Sequence, residues 1–145
     1  MFTGGVIHII DSVLTMPLSP SNSALDSQLT ALTGALTQTS LVSAVNSLKD
    51  VTIFAPSNAA FQAIGSATSA LTTMQLANIL EYHIINGTVG YSSLLMMGLA
   101  NESFPSLIGT TLMVEEVGMK VFVNSAQVTI ADIIVSNGVM HVINK

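Results

Sequence analysis

The chain has 145 residues, of which half are hydrophobic and 8% charged, and it contains no cysteine. That length gives one domain with a core large enough to need no staple. The missing thiols exclude disulfide scaffolds, zinc–thiolate sites and cysteine nucleophiles. Three lysines against eight acids leave a net charge of −5, which excludes a phosphate-backbone partner and so nucleic acid. No apolar run approaches the roughly 18 residues of a transmembrane segment. No basic stretch followed by an apolar one is visible at Met1-Phe2-Thr3-Gly4-Gly5, so no signal peptide is read there.

In chain order, the first feature is an internal repeat. Gly5-Val6-Ile7-His8-Ile9-Ile10-Asp11 matches Gly138-Val139-Met140-His141-Val142-Ile143-Asn144. A repeat at nearly the length of the chain is expected where residues 1–14 hold the end strand of a preceding repeat. Residues 15–23, with Pro17 and Pro20 among serines, read as a linker, and residues 24–145 as the main domain. Leu25, Leu29, Leu32 and Leu36 recur at helical spacing, and Leu41, Val42, Val45 and Leu48 form a second, shorter stripe. Thr52-Ile53-Phe54-Ala55-Pro56-Ser57-Asn58-Ala59-Ala60-Phe61 then reads as a strand-to-helix corner. Residues 51–55 form a buried strand stopped by Pro56, Ser57 or Asn58 caps the helix that follows, and Phe54 and Phe61 anchor the two ends.

A serine- and threonine-rich connection over residues 66–73 leads to a helix with Leu76, Ile79, Leu80 and His83 on one face. Ile84-Ile85 and Val89 read as short strands around the Asn86-Gly87 turn, and Ser92 or Ser93 caps a helical turn carrying Leu94, Leu95, Met96 and Met97. From Phe104 the period is two: residues 112–116, 120–123, 127–130 and 139–143 form strands joined by tight turns, with Asp132-Ile133-Ile134 leading into the last. Early helices and a late strand meander make an α+β domain. Asn86-Gly87-Thr88 and Asn101-Glu102-Ser103 are glycosylation sequons in turn-like surroundings.

Three of these motifs, in this order, resemble the fasciclin (FAS1) domain. Residues 52–61, with Thr52, Phe54, Pro56, Asn58 and Phe61, look like its first signature box. Tyr82-His83 looks like its central tyrosine–histidine motif, and residues 137–143, with Asn137, Gly138 and His141, like its second box. The resemblance implies a wedge-shaped β-sandwich with helices packed at one side, in a secreted or cell-surface protein, commonly in tandem copies. It also implies a non-catalytic adhesion module whose partner is a cell-surface or matrix protein or glycan. Integrin contact in animal members maps onto Asp132-Ile133 and Tyr82-His83. Ile130 stands where the adhesive motif carries an acid or amide, which argues against integrin itself.

Weighed as chemistry, the remaining residues point the same way. His8 and His141 are one position in successive repeats, and no third ligand stands at metal-binding spacing. His141 shares a strand face with Val139 and Ile143 and reads, like His83, as a core histidine, with Asn58 or Tyr82 as neighbour. Ser136, Asp132 and His141 can be written as a triad, but no nucleophile elbow accompanies them. Glu115 and Glu116 are adjacent on a strand and face opposite ways. Asp132, set among isoleucines, is either a turn-shaping carboxylate or a partner contact. Leu95 and Met96 belong to a methionine-rich run suited to an apolar partner or to packing on the sandwich. No cofactor is implied. The alternative to adhesion is a binding or auxiliary protein for a small apolar molecule, assisting an oxidative enzyme, motivated by eight methionines and scarce charge. The repeated N-terminal strand also suggests self-association by strand exchange.

Overall fold

The structure is a computed structural model that describes residue 4 and residues 6–97 and 102–145. Among them, three short helices, α1 (Pro20–Asp26), α2 (Thr30–Gln38) and α3 (Val42–Ser47), precede strand β1 (Val51–Pro56). Helices α4 (Asn58–Ala63), α5 (Gly65–Ala70) and α6 (Thr73–Tyr82) lead to β2 (Ile84–Asn86), and α7 (Ser92–Met97) follows it. The rest is the meander β3 (Glu102–Pro105), β4 (Thr111–Val117), β5 (Lys120–Val123), β6 (Ala126–Val135) and β7 (Gly138–Ile143). The seven strands run in the order β2-β1-β7-β6-β5-β4-β3. The sheet doubles back on itself, because Ile85 beside β1 bridges Ser106 just past β3 at the opposite end of the order. This is the α+β sandwich that the sequence motifs imply.

Strand β1 is buried along its whole length and lies parallel to β7, with Val51 opposite Gly138 and Phe54 opposite His141. A parallel pair needs long connections, here the whole chain between them, and is covered on both faces. Two apolar clusters result. Val51, Ile53, Met140 and Val142 face the helices and pack on Leu32, Leu36, Leu76 and Leu80. Phe54 and Ile143 face the other way, onto Leu95, Leu112, Val114 and Val123.

The corner forms as its residues dictate. Pro56 ends β1, and the Ser57 hydroxyl oxygen accepts from the Ala60 N–H at 3.2 Å as the cap of α4. Asn58 does not cap this helix. It reaches back to the α1–α2 turn, accepting from the Ala31 N–H at 3.0 Å and donating to the Gln28 carbonyl at 2.9 Å. Phe61 packs on the first cluster while Ile64 stays largely exposed. A capping box between Thr72 and Gln75 starts α6.

Several expectations need correction. The linker is helical from Pro20 onward, because proline is well tolerated in the first turn of a helix, where its missing N–H costs nothing. The leucine stripe from Leu25 to Leu36 is broken by Gln28, whose φ of 58° ends α1, and Leu25 points to solvent. Residues 65–70 are a short helix, and Val89 is in no strand. His141 has neither Asn58 nor Tyr82 as its partner, as described below. Residues 6–14 lie exposed, in neither helix nor strand of this domain; an end strand of a preceding repeat would pair in that repeat's sheet and not in this one.

Gly138 is fixed by close approach rather than by turn geometry, since a Cβ there would run into the Val51 carbonyl oxygen. Gly138→Ala is expected to destabilise the domain by about 3 kcal/mol or more, read as a lower urea midpoint. Wild-type stability in that variant would mean that β1 and β7 can separate at little cost.

Candidate functional site

Three neighbouring strands each send one polar side chain to residues 87–92, the irregular stretch after β2 and the first residue of α7. From β1, the Thr52 hydroxyl donates to the Thr88 carbonyl at 2.7 Å and accepts from the Gly90 N–H at 2.8 Å. From β7, His141 is 0% exposed and its Nε2 bonds the Gly90 carbonyl at 2.8 Å. Its ring stacks on Phe54, with centroids 5.7 Å apart. From β6, Asp132 takes the Ser92 N–H on Oδ1 at 2.7 Å and the Ser92 hydroxyl on Oδ2. Asp132 sits between the Ile130–Val142 and Ile133–Met140 pairs, where the ladder carries an extra residue, and its φ is 60°. That bulge aims the carboxylate at α7 and the Asp132 N–H at Nδ1 of His141, 3.2 Å away.

The protonation state of His141 follows from these partners. A carbonyl can only accept, so Nε2 carries the proton, and Nδ1 receives an N–H and is therefore bare. Burial lowers the His141 pKa below its ordinary value, against the opposing pull of the Gly90 carbonyl and the Asp132 charge. His83 is lowered for the same leading reason, although its Nδ1 bonds the Ile79 carbonyl at 2.6 Å.

The second polar cluster lies where β7 ends. Tyr82 donates to the Thr111 carbonyl at 3.4 Å and accepts from Nδ2 of Asn124 at 2.9 Å, while Oδ1 of Asn124 takes the Met113 N–H at 3.0 Å. Tyr82 also meets His83 edge-on. With Phe54, Ser125 and Lys145 these residues line a cleft of about 160 Å³.

The sequence-selected residues thus fall into several settings. Leu95 is 2% exposed and belongs to the second core cluster, so it presents no contact surface; helical phase turns it inward and leaves Leu94 outside. Met96 and Ile133 are half-buried against the two clusters. Asn137 donates to the Val45 and Leu48 carbonyls at 3.0 and 2.9 Å, fastening α3 to the β6–β7 turn. Asn86 is exposed at the end of β2, followed by Gly87 with a φ of 80°. Asn101 lies outside the described residues. The written triad is not assembled, because Asp132 meets His141 through its backbone and Nε2 of His141 points at Gly90 rather than at Ser136. Among the described residues no three acids or histidines gather as metal ligands. Between β1, β7 and the helices a void of about 20 Å³ is lined by side chains such as Leu36, Ile53 and Met140, room for roughly one water.

Sequence reasoning gave Ser92 only as a helix cap and Asn124 only as a turn residue, and passed over Gly90. Gly90 lies where a Cβ would meet Leu95 Cδ2 at 2.9 Å. Thr52 carried a usable signal, a lone hydroxyl inside an otherwise apolar strand, since a buried hydroxyl requires a partner.

Lowered histidine pKa values fix the sign of a pH effect. The unfolded chain takes up protons near pH 6.5 while folded His141 and His83 still resist them. Stability is therefore complete above that pH and is lost as the pH falls from it toward the lowered folded-state values. Urea midpoints should fall between pH 7 and pH 5. His141→Gln should be less stable at pH 7 and show a shallower pH dependence; an unchanged slope in that variant would remove His141 from this account.

Comparison with known proteins places these motifs. The fasciclin domain family model matches residues 27–145. A fasciclin-like arabinogalactan protein of Arthroderma benhamiae is 39% identical over 97% of this chain and 32% of its own length. Transforming growth factor-beta-induced protein ig-h3 of Sus scrofa is 36% identical over 97% of this chain and 21% of its own. Among solved structures, the FAS1 domain pair of the insect cell adhesion molecule fasciclin I superimposes with a TM-score of 0.64 at 24% identity, covering 85% of this chain and 44% of that one. The chain spans about a third or less of the two curated relatives. With the family's domain matched over most of its length and its fold reproduced, this chain belongs to the fasciclin domain family.

Proposed function

We propose that the domain is a non-catalytic adhesion or interaction module that works outside the cell or at its surface, binding a cell-surface or matrix protein or glycan. The observation that carries this reading is how the polar side chains are used. Asp132, His141, Thr52 and Asn137 spend their hydrogen bonds on the domain's own backbone, which leaves surface contact as the means of action. Relatives named for arabinogalactan proteins and for a cell adhesion molecule support the same reading.

The contact face that fits best is the edge where Asp132 holds the first turn of α7. Leu94 is substantially exposed there, beside the Asp132 carboxylate that holds Ser92, and an exposed apolar surface rimmed by polar groups marks a contact site. The tyrosine–histidine cleft is the second candidate face. Asn86, exposed on a turn, is the residue that would carry a glycan.

Immobilised domain should retain cells or matrix protein, and a Leu94→Ser variant should bind roughly tenfold more weakly with its urea midpoint kept. Equal binding by the variant would remove this edge as the contact face. Protein secreted from a eukaryotic host should carry a glycan mass that Asn86→Gln abolishes; wild type secreted without one would rule out modification at this turn.

A further inference from the structure

Residues 6–14 place Val6, Ile7, Ile9, Ile10, Val13 and Leu14 at the surface, Ile9 being 98% exposed. The same residue order has a clear purpose at β7. There a glycine permits close approach to Val51, the valine after it is 0% exposed, the histidine is buried against Phe54, and the last two residues enter the two core clusters. In sequence, Gly5, Val6, His8, Ile9 and Ile10 stand where Gly138, Val139, His141, Val142 and Ile143 stand. A surface tail needs neither the glycine nor the histidine. A strand lying between β1 and β6 of a fasciclin fold needs both.

The structure also limits where such a second fold can sit. The Leu18 carbonyl accepts from the Ser136 N–H at 2.8 Å, pinning the chain beside the β6–β7 turn. Seven residue steps separate Leu18 from Asp11, roughly 25 Å at full stretch. Within that reach an open groove of about 580 Å³ is walled by Lys49, Asp50, Val89, Tyr91 and Ile134. Tyr91 is 40% and Ile134 57% exposed, apolar surface of the kind that a neighbouring domain covers. The alignment with the Arthroderma protein covers 97% of this chain and 32% of that one, so it takes in most of residues 6–14 and leaves length there for another domain.

We propose that residues 6–11 are the closing strand of a second fasciclin-fold domain, and that this domain packs into the groove, covering Tyr91 and Ile134. Its approaching end is the one where its own closing strand finishes, the counterpart of the Tyr82 and Asn124 cleft. The inference goes beyond the adhesion reading and does not depend on it.

The test is a two-copy chain in which residues 1–144 are followed directly by residues 12–145, so that the first copy's β7 stands where residues 5–11 stand. The protein has no cysteine, so Lys49→Cys in the second copy supplies a sole thiol on the groove wall. Its alkylation by a bulky maleimide should be about tenfold slower than in the single chain carrying the same substitution. Adding Tyr91→Ser and Ile134→Ser to the second copy should restore the single-chain rate. Equal rates in the single and two-copy chains would overturn the proposal, as would slow alkylation that persists in the double-serine variant. Since no cell or matrix partner enters this assay, its failure would leave the adhesion reading to be judged by its own experiment.

Discussion

The parallel pairing of β1 with β7 is the constraint on which the rest of the domain depends. It sets Phe54 directly opposite His141, so the ring stack is a cross-strand pair and not a chance contact. It also decides which residues face the helices and which face the doubled-back meander, because alternation along two central strands assigns every side chain to one cluster or the other. The glycine at the start of β7 and the proline at the end of β1 are both answers to this pairing. The first allows the strands to meet, and the second releases the chain into α4 at the point where the ladder ends.

A second consequence concerns polar chemistry. Residues that would attract attention as catalytic or ligating groups in a sequence, a histidine, an aspartate and several hydroxyls, are here assigned to holding one irregular stretch against the sheet. A buried polar group must be paired, and once paired it rigidifies what it touches. The bulge in β6 is the device that makes this possible, since it brings an acid and a backbone donor to bear on two different partners.

Much of this was legible in the residues. The strand–proline–serine corner was read correctly because each step has a local cause: burial, a blocked donor, a capping hydroxyl. The meander was read from its alternation, though β6 proved longer than its pattern, which the bulge interrupts. What could not be read were bonds between residues distant in the chain, such as Asn58 to the α1–α2 turn, Thr52 to Gly90 and Asp132 to Ser92. Local periodicity carries no signal for these, because the partner of a polar side chain is chosen by the fold. Which of Leu94, Leu95 and Met96 turned inward was left open for a related reason: in a helix of under two turns, phase is set by the capping contact and not by a repeating stripe.

The centre of this sheet is completed by its last strand. The β4 to β7 meander joins neighbours in sequence, whereas β1 must wait for β7, so the rate of folding is governed by closing a loop that spans most of the domain. During synthesis on the ribosome, the Val51-Thr52-Ile53-Phe54-Ala55 run can meet β2 early, but its other edge remains unpaired until nearly the whole domain has emerged. Such a run is prone to cross-β stacking with its own kind. Pro56, placed at its end to stop the strand, also acts as a gatekeeper in that interval.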